Sequence, residues 1–344
     1  MIIGLLIILA LVLILPFCVK IVEDNLEIFL FIMGLLSTIV AHTLNWTLVL
    51  DILKNRFIYM IALAVLVVGL LFRYLKGYLQ RGVGVLFAKI HERLFIFLLI
   101  VVLGFASSVI TAVMSAVALV EIVQAMPITR SKKVKLDIVA CFSIGLGAVM
   151  TPIGEPLATV VTSRLGQGFW FLSDLLDIYI VTGILLLGIF GAFYIGRTKA
   201  AKAAAGADPT VADDDESIKE IIIRAVKILL FVIALELLGA GFAPIIDTYI
   251  TKLDGQILFW VNMISAVLDN ATLASAEIST AMSLAQVKAI LMGLLISGGM
   301  LIPGNIPNIV SAHRLKIPSR EWAKLGVPLG LVMMVICFVA LFVI

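Results

Sequence analysis

Long apolar runs separated by short charged segments cover most of the chain. Most of these runs are about 20 residues long, the length of a helix that crosses the roughly 30 Å hydrocarbon core of a bilayer. Strands of a membrane barrel would instead alternate over about 10 residues. The pattern predicts an all-α polytopic membrane protein with spans at residues 2–19, 26–44, 57–75, 134–165, 175–195, 221–242, 287–313 and 325–343.

Two further apolar runs, at residues 94–126 and 257–282, are too long for one ordinary crossing and too short for two. We interpret each run as a re-entrant hairpin, which enters and leaves the membrane on the same side. In the second run Asp269 and Asn270 interrupt the apolar pattern, and we place them near the tip of the hairpin. Ionisable residues at membrane depth are costly and indicate a functional site.

The composition excludes an ordinary soluble domain, because 62% of the residues are hydrophobic and only 14% are charged. The positions of the basic residues then predict the orientation. Lys and Arg flank the first hairpin at residues 73–93 and 130–135, so both of its ends should face the cytoplasm. Residues 243–256, before the second hairpin, contain one Lys and two Asp. We therefore expect the second hairpin to enter from the outside.

The two hairpins begin two similar halves of the chain. Thr111 in the first hairpin corresponds to Asp269 in the second, and a Pro-x-x-x-Pro segment follows each hairpin, where residues 151–156 match residues 302–307. Each proline removes a backbone donor and interrupts a helix, and irregular backbone at membrane depth is tolerated where it lines a cavity. Given opposite orientations, the halves predict the inverted repeat of a secondary transporter, with its substrate site near the midplane.

A polar, acidic stretch separates the two halves. Its composition predicts a flexible cytoplasmic linker. The chain then divides into N-terminal scaffold helices at residues 1–93, a first repeat at 94–196, the linker at 197–220 and a second repeat at 221–344.

The hairpin tips and the helix breaks carry oxygen ligands. Hydroxyls, amides and carboxylates suit sodium or a proton, rather than the soft metals that prefer sulfur and imidazole. Burial favours the neutral form of a carboxyl group, so Asp269 and Glu155 are expected to hold either sodium or a proton. The predicted cation- and proton-binding residues are Asp269, Glu155, Asn270, Asn305, Thr111, Ser108, Thr151 and Ser107, with Asn308, Thr272, Glu277 and Glu121 as secondary candidates.

These residues predict sodium/proton antiport by alternating access. The alternative is sodium-coupled symport of a small anion such as a dicarboxylate, and a channel or receptor role is a third option. The basic residues nearest to the centre, Arg164 and Arg314, lie at the ends of their segments and are interpreted as interfacial anchors. The sequence contains no phosphate loop, nucleophile elbow or zinc pattern. We therefore expect neither enzyme activity nor a cofactor, and no nucleic-acid partner.

Two motifs resemble a known family. Residues 151–155, TPIGE, resemble the TPIGD segment of NhaD-type sodium/proton antiporters, and residues 265–270, SAVLDN, resemble their SALVDN segment. The chain is thus similar to the ion transporter superfamily from about residue 90 onwards, and over its whole length to a prokaryotic family of predicted cation transporters. The resemblance implies a homodimer in the cytoplasmic (inner) membrane of a prokaryote, with a scaffold and a mobile transport domain that works by an elevator mechanism.

This chain departs from the family pattern in two respects. Glu155 stands where the NhaD-type motif has Asp, which keeps the charge and lengthens the side chain by one methylene group. The paired Ser-Asn-Thr signatures of dicarboxylate symporters are absent from the sequence. The second departure favours a cation over a dicarboxylate as the substrate.

Overall fold

The computed structural model describes residues 1–196 and 217–343, and all regular elements in these ranges are helices. The all-α prediction is confirmed for this part of the chain. Of the predicted linker at 197–220, residues 197–216 lie outside the described residues, and Ser217 already caps the helix that follows. The N-terminal region contains α1 (Ile2–Cys18), α2 (Lys20–Asp24), α3 (Leu26–Val40), α4 (Trp46–Lys54) and α5 (Arg56–Lys89).

The remaining helices occur in two groups with the same internal order. The first group comprises α6 (Glu92–Ile110), α7 (Ala112–Ala125), α8 (Arg130–Ala148), α9 (Pro156–Arg164) and α10 (Phe171–Gly196). After the undescribed segment, α11 (Ile218–Tyr249) leads to the second group. That group comprises α12 (Gly255–Val261), α13 (Asn270–Glu277), α14 (Leu284–Gly298), α15 (Ile306–Arg314) and α16 (Ser319–Phe342).

The helix breaks predicted from the proline pairs are present in both groups. A nine-residue helix, α9 or α15, follows each break. Glu155 and Asn305 precede these two helices with similar extended backbones, at φ −156° and −154°. This pairing corrects the predicted match of residues 151–156 with 302–307, which is out of register by one residue. The predicted match aligned the two segments on their prolines. The prolines are not at equivalent positions, because Pro156 is the first residue of α9, whereas Pro307 is the second residue of α15.

Several apolar helices can cross a membrane. Among the described residues α6, α10 and α16 are each long and apolar enough, and the bent pair Trp46–Lys54 and Arg56–Leu71, with an angle of 41°, is a fourth candidate. This number is smaller than the eight predicted spans. The 19 residues of α6 extend over roughly 28 Å, so this arm of the first predicted hairpin is by itself long enough for a crossing.

The outer faces of α10 and α16 are apolar. Ile178 on α10 is 67% exposed, and Val332 on α16 is 57% exposed, as are several neighbours of similar character. Large exposed apolar surfaces are rare on soluble monomers and indicate contact with lipid or protein. They agree with a location in a membrane.

Small residues let helices approach closely, as is common in membrane proteins. Helix α3 packs along α11, where a Cβ atom on Gly241 would lie 2.1 Å from Ser37 Oγ. Helices α6 and α8 meet in the same way, since a Cβ atom on Gly147 would lie 1.8 Å from the carbonyl oxygen of Gly104. Gly147 therefore fixes the distance between the first predicted hairpin and the helix that ends at the first break.

We expect the Gly147→Ala variant to be strongly destabilised, because the added methyl group meets backbone rather than a movable side chain. Overpacking typically costs about 1–3 kcal/mol, and a backbone clash should lie at the upper end. Thermal unfolding of the purified protein in detergent measures the effect, with Gly168→Ala as the control because a Cβ atom there has nothing within 4 Å. Equal midpoints for the two variants would contradict the close packing of α6 and α8.

Candidate functional site

The first predicted hairpin turns at Thr111, which lies between α6 and α7 with φ 73°. The Thr111 side chain accepts a hydrogen bond from the backbone N–H of Met114 at 3.3 Å and so caps α7. The backbone N–H of Ala112 donates to the carbonyl oxygen of Gly154 at 2.8 Å. The tip of this hairpin is thus attached directly to the first helix break.

The first break holds Glu155 in the protein interior. Glu155 is 2% exposed and precedes the first residue of α9. A Cβ atom on Gly154 would lie 1.9 Å from the carbonyl oxygen of Ala148, so only glycine allows the chain to fold back against the end of α8. The hydroxyl of Thr159 donates to the carbonyl oxygen of Pro152 at 2.6 Å and closes the break.

The second predicted hairpin places Asp269 and Asn270 at the start of α13. Asp269 Oδ2 accepts two hydrogen bonds from Thr272, one from the backbone N–H at 2.8 Å and one from the hydroxyl at 2.9 Å. Asp269 is therefore both the cap of α13 and a carboxylate at its N-terminus. Asn270 is 2% exposed.

The second break presents Asn305, which is 2% exposed, next to α8. A Cβ atom on Gly145 of α8 would lie 2.6 Å from Asn305 Nδ2. The amide of Asn308 donates to the carbonyl oxygens of Gly298 at 2.8 Å and Leu301 at 2.9 Å. Asn308 thereby satisfies carbonyls that the interrupted helix leaves without a partner.

The two hairpin tips and the two breaks meet around one small cavity. The space available to the centre of a water-sized sphere is about 10 Å³, enough for about one water molecule. The described residues that line it include no basic side chain. They are Thr111, Ala112, Val113, Gly154, Glu155, Pro156, Asn270, Asn305 and Ile306, with Ile61 and Val65 of α5 and Ile228 of α11.

Glu155 lines this cavity, and a second carboxyl group, that of Asp269, lies beside it. The Glu155 carboxyl group lies next to the Asn270 amide and within electrostatic range of Asp269. Among the described residues, Glu155 Oε1 and Asn270 Nδ2 are buried without a hydrogen-bond partner. Buried polar atoms are nearly always satisfied, so this carboxyl oxygen and this amide nitrogen are available to pair with each other or with a ligand in the cavity.

Four helix N-termini also converge on the cavity, because α7, α9, α13 and α15 all begin there. Each N-terminus is equivalent to up to about half a positive charge. Together they supply up to about two positive charges, which offset two ionised carboxylates. The helix ends therefore replace basic side chains as partners for Glu155 and Asp269.

The other predicted site residues lie outside the cavity lining. The hydroxyls of Ser107 and Ser108 donate to helix carbonyls, and Thr151 donates to the carbonyl oxygen of Ser108. Glu277 accepts from Asn262 at 3.0 Å. Glu121 forms an ion pair with Arg314 at 3.6 Å. The structure thus brings Thr111, Glu155, Asn270 and Asn305 to one cavity, with Asp269 and its partner Thr272 beside it.

Arg164 has a different environment from the expected interfacial anchor. Its guanidinium group donates to the carbonyl oxygens of Ser275 and Ile278 at the end of α13, and it packs on Gly239 of α11, where a Cβ atom would lie 2.0 Å from Arg164 Nη2. Glu236 of α11 is within electrostatic range. The sequence showed that Arg164 ends its helix, but not which helix end it would contact.

A polar cluster connects α9 to the N-terminal region beside Arg164. Asn55, between α4 and α5, donates to Ser163 Oγ at 2.6 Å and to Glu236 Oε1 at 3.0 Å. The sequence does not predict the contact of Asn55 with Ser163, because a single polar residue at a helix end gives no local signal of a partner more than 100 positions away.

The predicted site residues also leave out one buried carboxyl group. Asp137 lies in α8, is fully buried, and accepts a hydrogen bond from Ser311 of α15 at 2.8 Å. The signal that could have identified it is the one used for Asp269, an acidic residue inside an apolar run, here VKLDIVACFSIGL.

Comparison with known proteins gives a family without an activity. A search of the curated proteins finds no match to the chain. A family model described as "Protein of unknown function (DUF1646)" matches residues 2–344. This description names no substrate or reaction, so the function has to be inferred from the residues themselves. Because the match extends over nearly the whole sequence, the chain belongs to the DUF1646 family.

Proposed function

We propose that the protein is a secondary active cation transporter that exchanges sodium for protons across the cytoplasmic membrane of a prokaryote. The observation that carries this proposal is a pair of neighbouring carboxyl groups: Glu155 lines one small cavity that has no basic side chain among its described lining residues, and Asp269 lies beside it. The cavity has room for about one water-sized species. That size suits a dehydrated sodium ion and is far too small for a dicarboxylate.

The charges at the cavity support competition between sodium and a proton. Four helix N-termini and two ionised carboxylates nearly cancel, so either sodium or a proton adds about one positive charge. Binding both at once would leave about two uncompensated charges in a medium of low dielectric constant, which is unfavourable. Mutually exclusive binding of two cations at one site is the basis of antiport.

We propose that the two helix groups are an inverted repeat and form the mobile transport domain. Two observations support this: the order of helices recurs, and Glu155 and Asn305 occupy equivalent positions before α9 and α15. All polar lining residues come from these groups, whereas Ile61, Val65 and Ile228 form an apolar wall. Since α11 packs along α3, we assign α11 to the scaffold with helices α1–α5, rather than to the second repeat.

In this proposal the transport domain slides along the apolar wall and exposes the cavity to either side, as in an elevator. The apolar wall prevents ions from leaking past the cavity during the movement. We also propose that the scaffold forms a homodimer within the lipid bilayer, as the resemblance to the ion transporter superfamily implies.

Sodium-coupled symport of a small anion is the second candidate. The four helix N-termini favour it, because such ends form anion sites when no carboxylate opposes them. In this chain Asp269 and Glu155 precede two of the four helices. An anion would therefore have to bind beside two carboxylates, and the cavity would have to enlarge.

An exchange assay with the native chain separates the two candidates. We expect sodium to collapse an imposed pH gradient in proteoliposomes that contain the full-length protein and no added organic or inorganic substrate anion. A pH-sensitive dye inside the vesicles measures the gradient, with choline instead of sodium and protein-free vesicles as controls. A gradient that collapses only after a small anion such as a dicarboxylate is supplied would contradict antiport and support symport.

A further inference from the structure

The Asp137 carboxyl group in α8 is a further buried acid, separate from the two at the cavity. Asp137 is eleven positions before Ala148, the last residue of α8, which corresponds to roughly 16 Å at a rise of 1.5 Å per residue. Its side chain has no exposed surface. Among the described residues Asp137 Oδ2 accepts from Ser311, whereas Asp137 Oδ1 has no hydrogen-bond partner.

No basic group compensates this carboxyl group among the described residues. The titratable neighbours one turn away on its own helix are Lys133 and Cys141, and Cys141 Sγ lies 3.2 Å from Ser311 Oγ. His313 on α15 is exposed. The basic groups on α8 and on the helices packed around it that have a described partner are the following: Lys132 with Glu92 at 2.6 Å, Arg130 with Glu321 at 3.2 Å, Arg314 with Glu121 at 3.6 Å, Lys133 with the Gln124 carbonyl oxygen at 2.7 Å, and Lys135, Arg93 and Lys288 above the rings of Tyr194, Phe193 and Tyr179.

Packing alone does not require polar residues at this contact. The register that pairs Glu155 with Asn305 also pairs Asp137 with Val287 and Ser311 with Val161. Both valines are buried. The equivalent positions, in α14 of the second group and α9 of the first, therefore hold apolar side chains, and the polar pair between α8 and α15 calls for another explanation.

Ser311 can respond to a proton on Asp137. When Asp137 is ionised, the Ser311 hydroxyl donates to Asp137 Oδ2 at 2.8 Å. When a proton from water is bound to Oδ2, the new O–H group donates to Ser311 Oγ, and the serine hydroxyl turns to the carbonyl oxygen of Asn308, which lies 3.4 Å away. No other atom is gained or lost, and every donor keeps an acceptor in both states.

We propose that Asp137 and Ser311 form a proton-binding site distinct from the two carboxyl groups at the cavity. An isolated carboxylate in the protein interior is unfavourable unless it holds a proton or a cation. The site is connected to the cavity through α15, because this nine-residue helix carries Ser311 and is preceded by Asn305 of the cavity lining. The link to ion exchange rests on the proposed function, whereas proton binding by Asp137 does not.

Infrared difference spectroscopy of the full-length protein tests this inference without a transport assay. We expect the native protein, titrated without sodium, to show a C=O stretching band of a protonated carboxylic acid that is missing in Asp137→Asn. Asparagine retains an acceptor for Ser311, so the fold should be preserved. In Ser311→Ala the band should persist but move to higher frequency, because the hydrogen bond to Ser311 is lost.

Two results would overturn the proton site. One is a native spectrum that coincides with that of Asp137→Asn in the carboxylic acid region over the whole titration. The other is an unchanged carboxylic acid band in Ser311→Ala, a variant that retains Asp137 and remains informative if Asp137→Asn does not fold. Neither result depends on whether sodium collapses a pH gradient, so failure of this site and failure of the proposed antiport are distinguishable.

Discussion

Sodium-driven collapse of a pH gradient is expected to disappear in both Asp269→Asn and Glu155→Gln. Each change removes one negative charge and preserves the shape of the side chain. The four helix N-termini then outweigh the remaining carboxylate by about one charge, so a cation no longer enters a neutral site. We therefore expect the rate of exchange to fall to that of protein-free vesicles.

The two substitutions remove a charge and keep the local helix structure, so they test the effect of the charge alone. Asn is as good a helix cap as Asp, so Asp269→Asn retains the hydrogen bonds from Thr272 that start α13. The exchange rate in proteoliposomes is the measurement, and thermal unfolding verifies that each variant is folded. Asp254→Asn is the matched control, because Asp254 is exposed and lies outside the cavity lining. Substantial exchange in folded Glu155→Gln would show that Glu155 is not part of a shared site.

The sequence pattern predicted well where helices lie along the chain and where they are interrupted. Apolar length indicated where helices lie, and the proline pairs indicated both breaks, because these features depend on nearest neighbours in the chain. The same reasoning selected Glu155, Asn270, Asn305 and Thr111, since each immediately precedes or begins a helix after an interruption. These four residues line the cavity.

The sequence predicted contacts between helices less well. Ser107 and Thr151 were expected to be ligands, yet their hydroxyls donate to backbone carbonyls, because the rotation of a helix decides which neighbour a short polar side chain meets. Arg164 contacts the end of α13, more than 100 positions away. Partners of this kind depend on the packing of whole helices, which local periodicity does not contain.

We expect a covalent link between Asn55 and Ser163 to stop transport. Asn55 lies in the proposed scaffold and Ser163 in the proposed transport domain, and their side chains are 2.6 Å apart. In an elevator this contact has to break in every cycle. The hydrogen bond of Asn55 to Ser163 contributes only about 1 kcal/mol, so thermal motion breaks it, whereas a covalent link holds.

The link can be made by changing both residues to cysteine in a background where Cys18, Cys141 and Cys337 are alanine. Oxidation, or a short bis-maleimide if the geometry does not suit a disulfide, should reduce sodium/proton exchange to the level of protein-free vesicles. The two single-cysteine variants, treated identically, should remain active, and reductant should restore exchange to the disulfide-linked protein. Binding of sodium, measured by calorimetry, should persist in the linked protein, because the cavity itself is untouched.

The linked protein distinguishes an elevator from motions confined to the hairpins. If it exchanges sodium for protons at the rate of its unlinked form, Asn55 and Ser163 do not separate during transport. The alternation would then have to arise from opening of the segments at Thr111 and Asp269, while α9 stays fixed to the N-terminal region. If exchange stops and sodium binding persists, the site is intact and the movement of α9 past the scaffold is what carries the ion across.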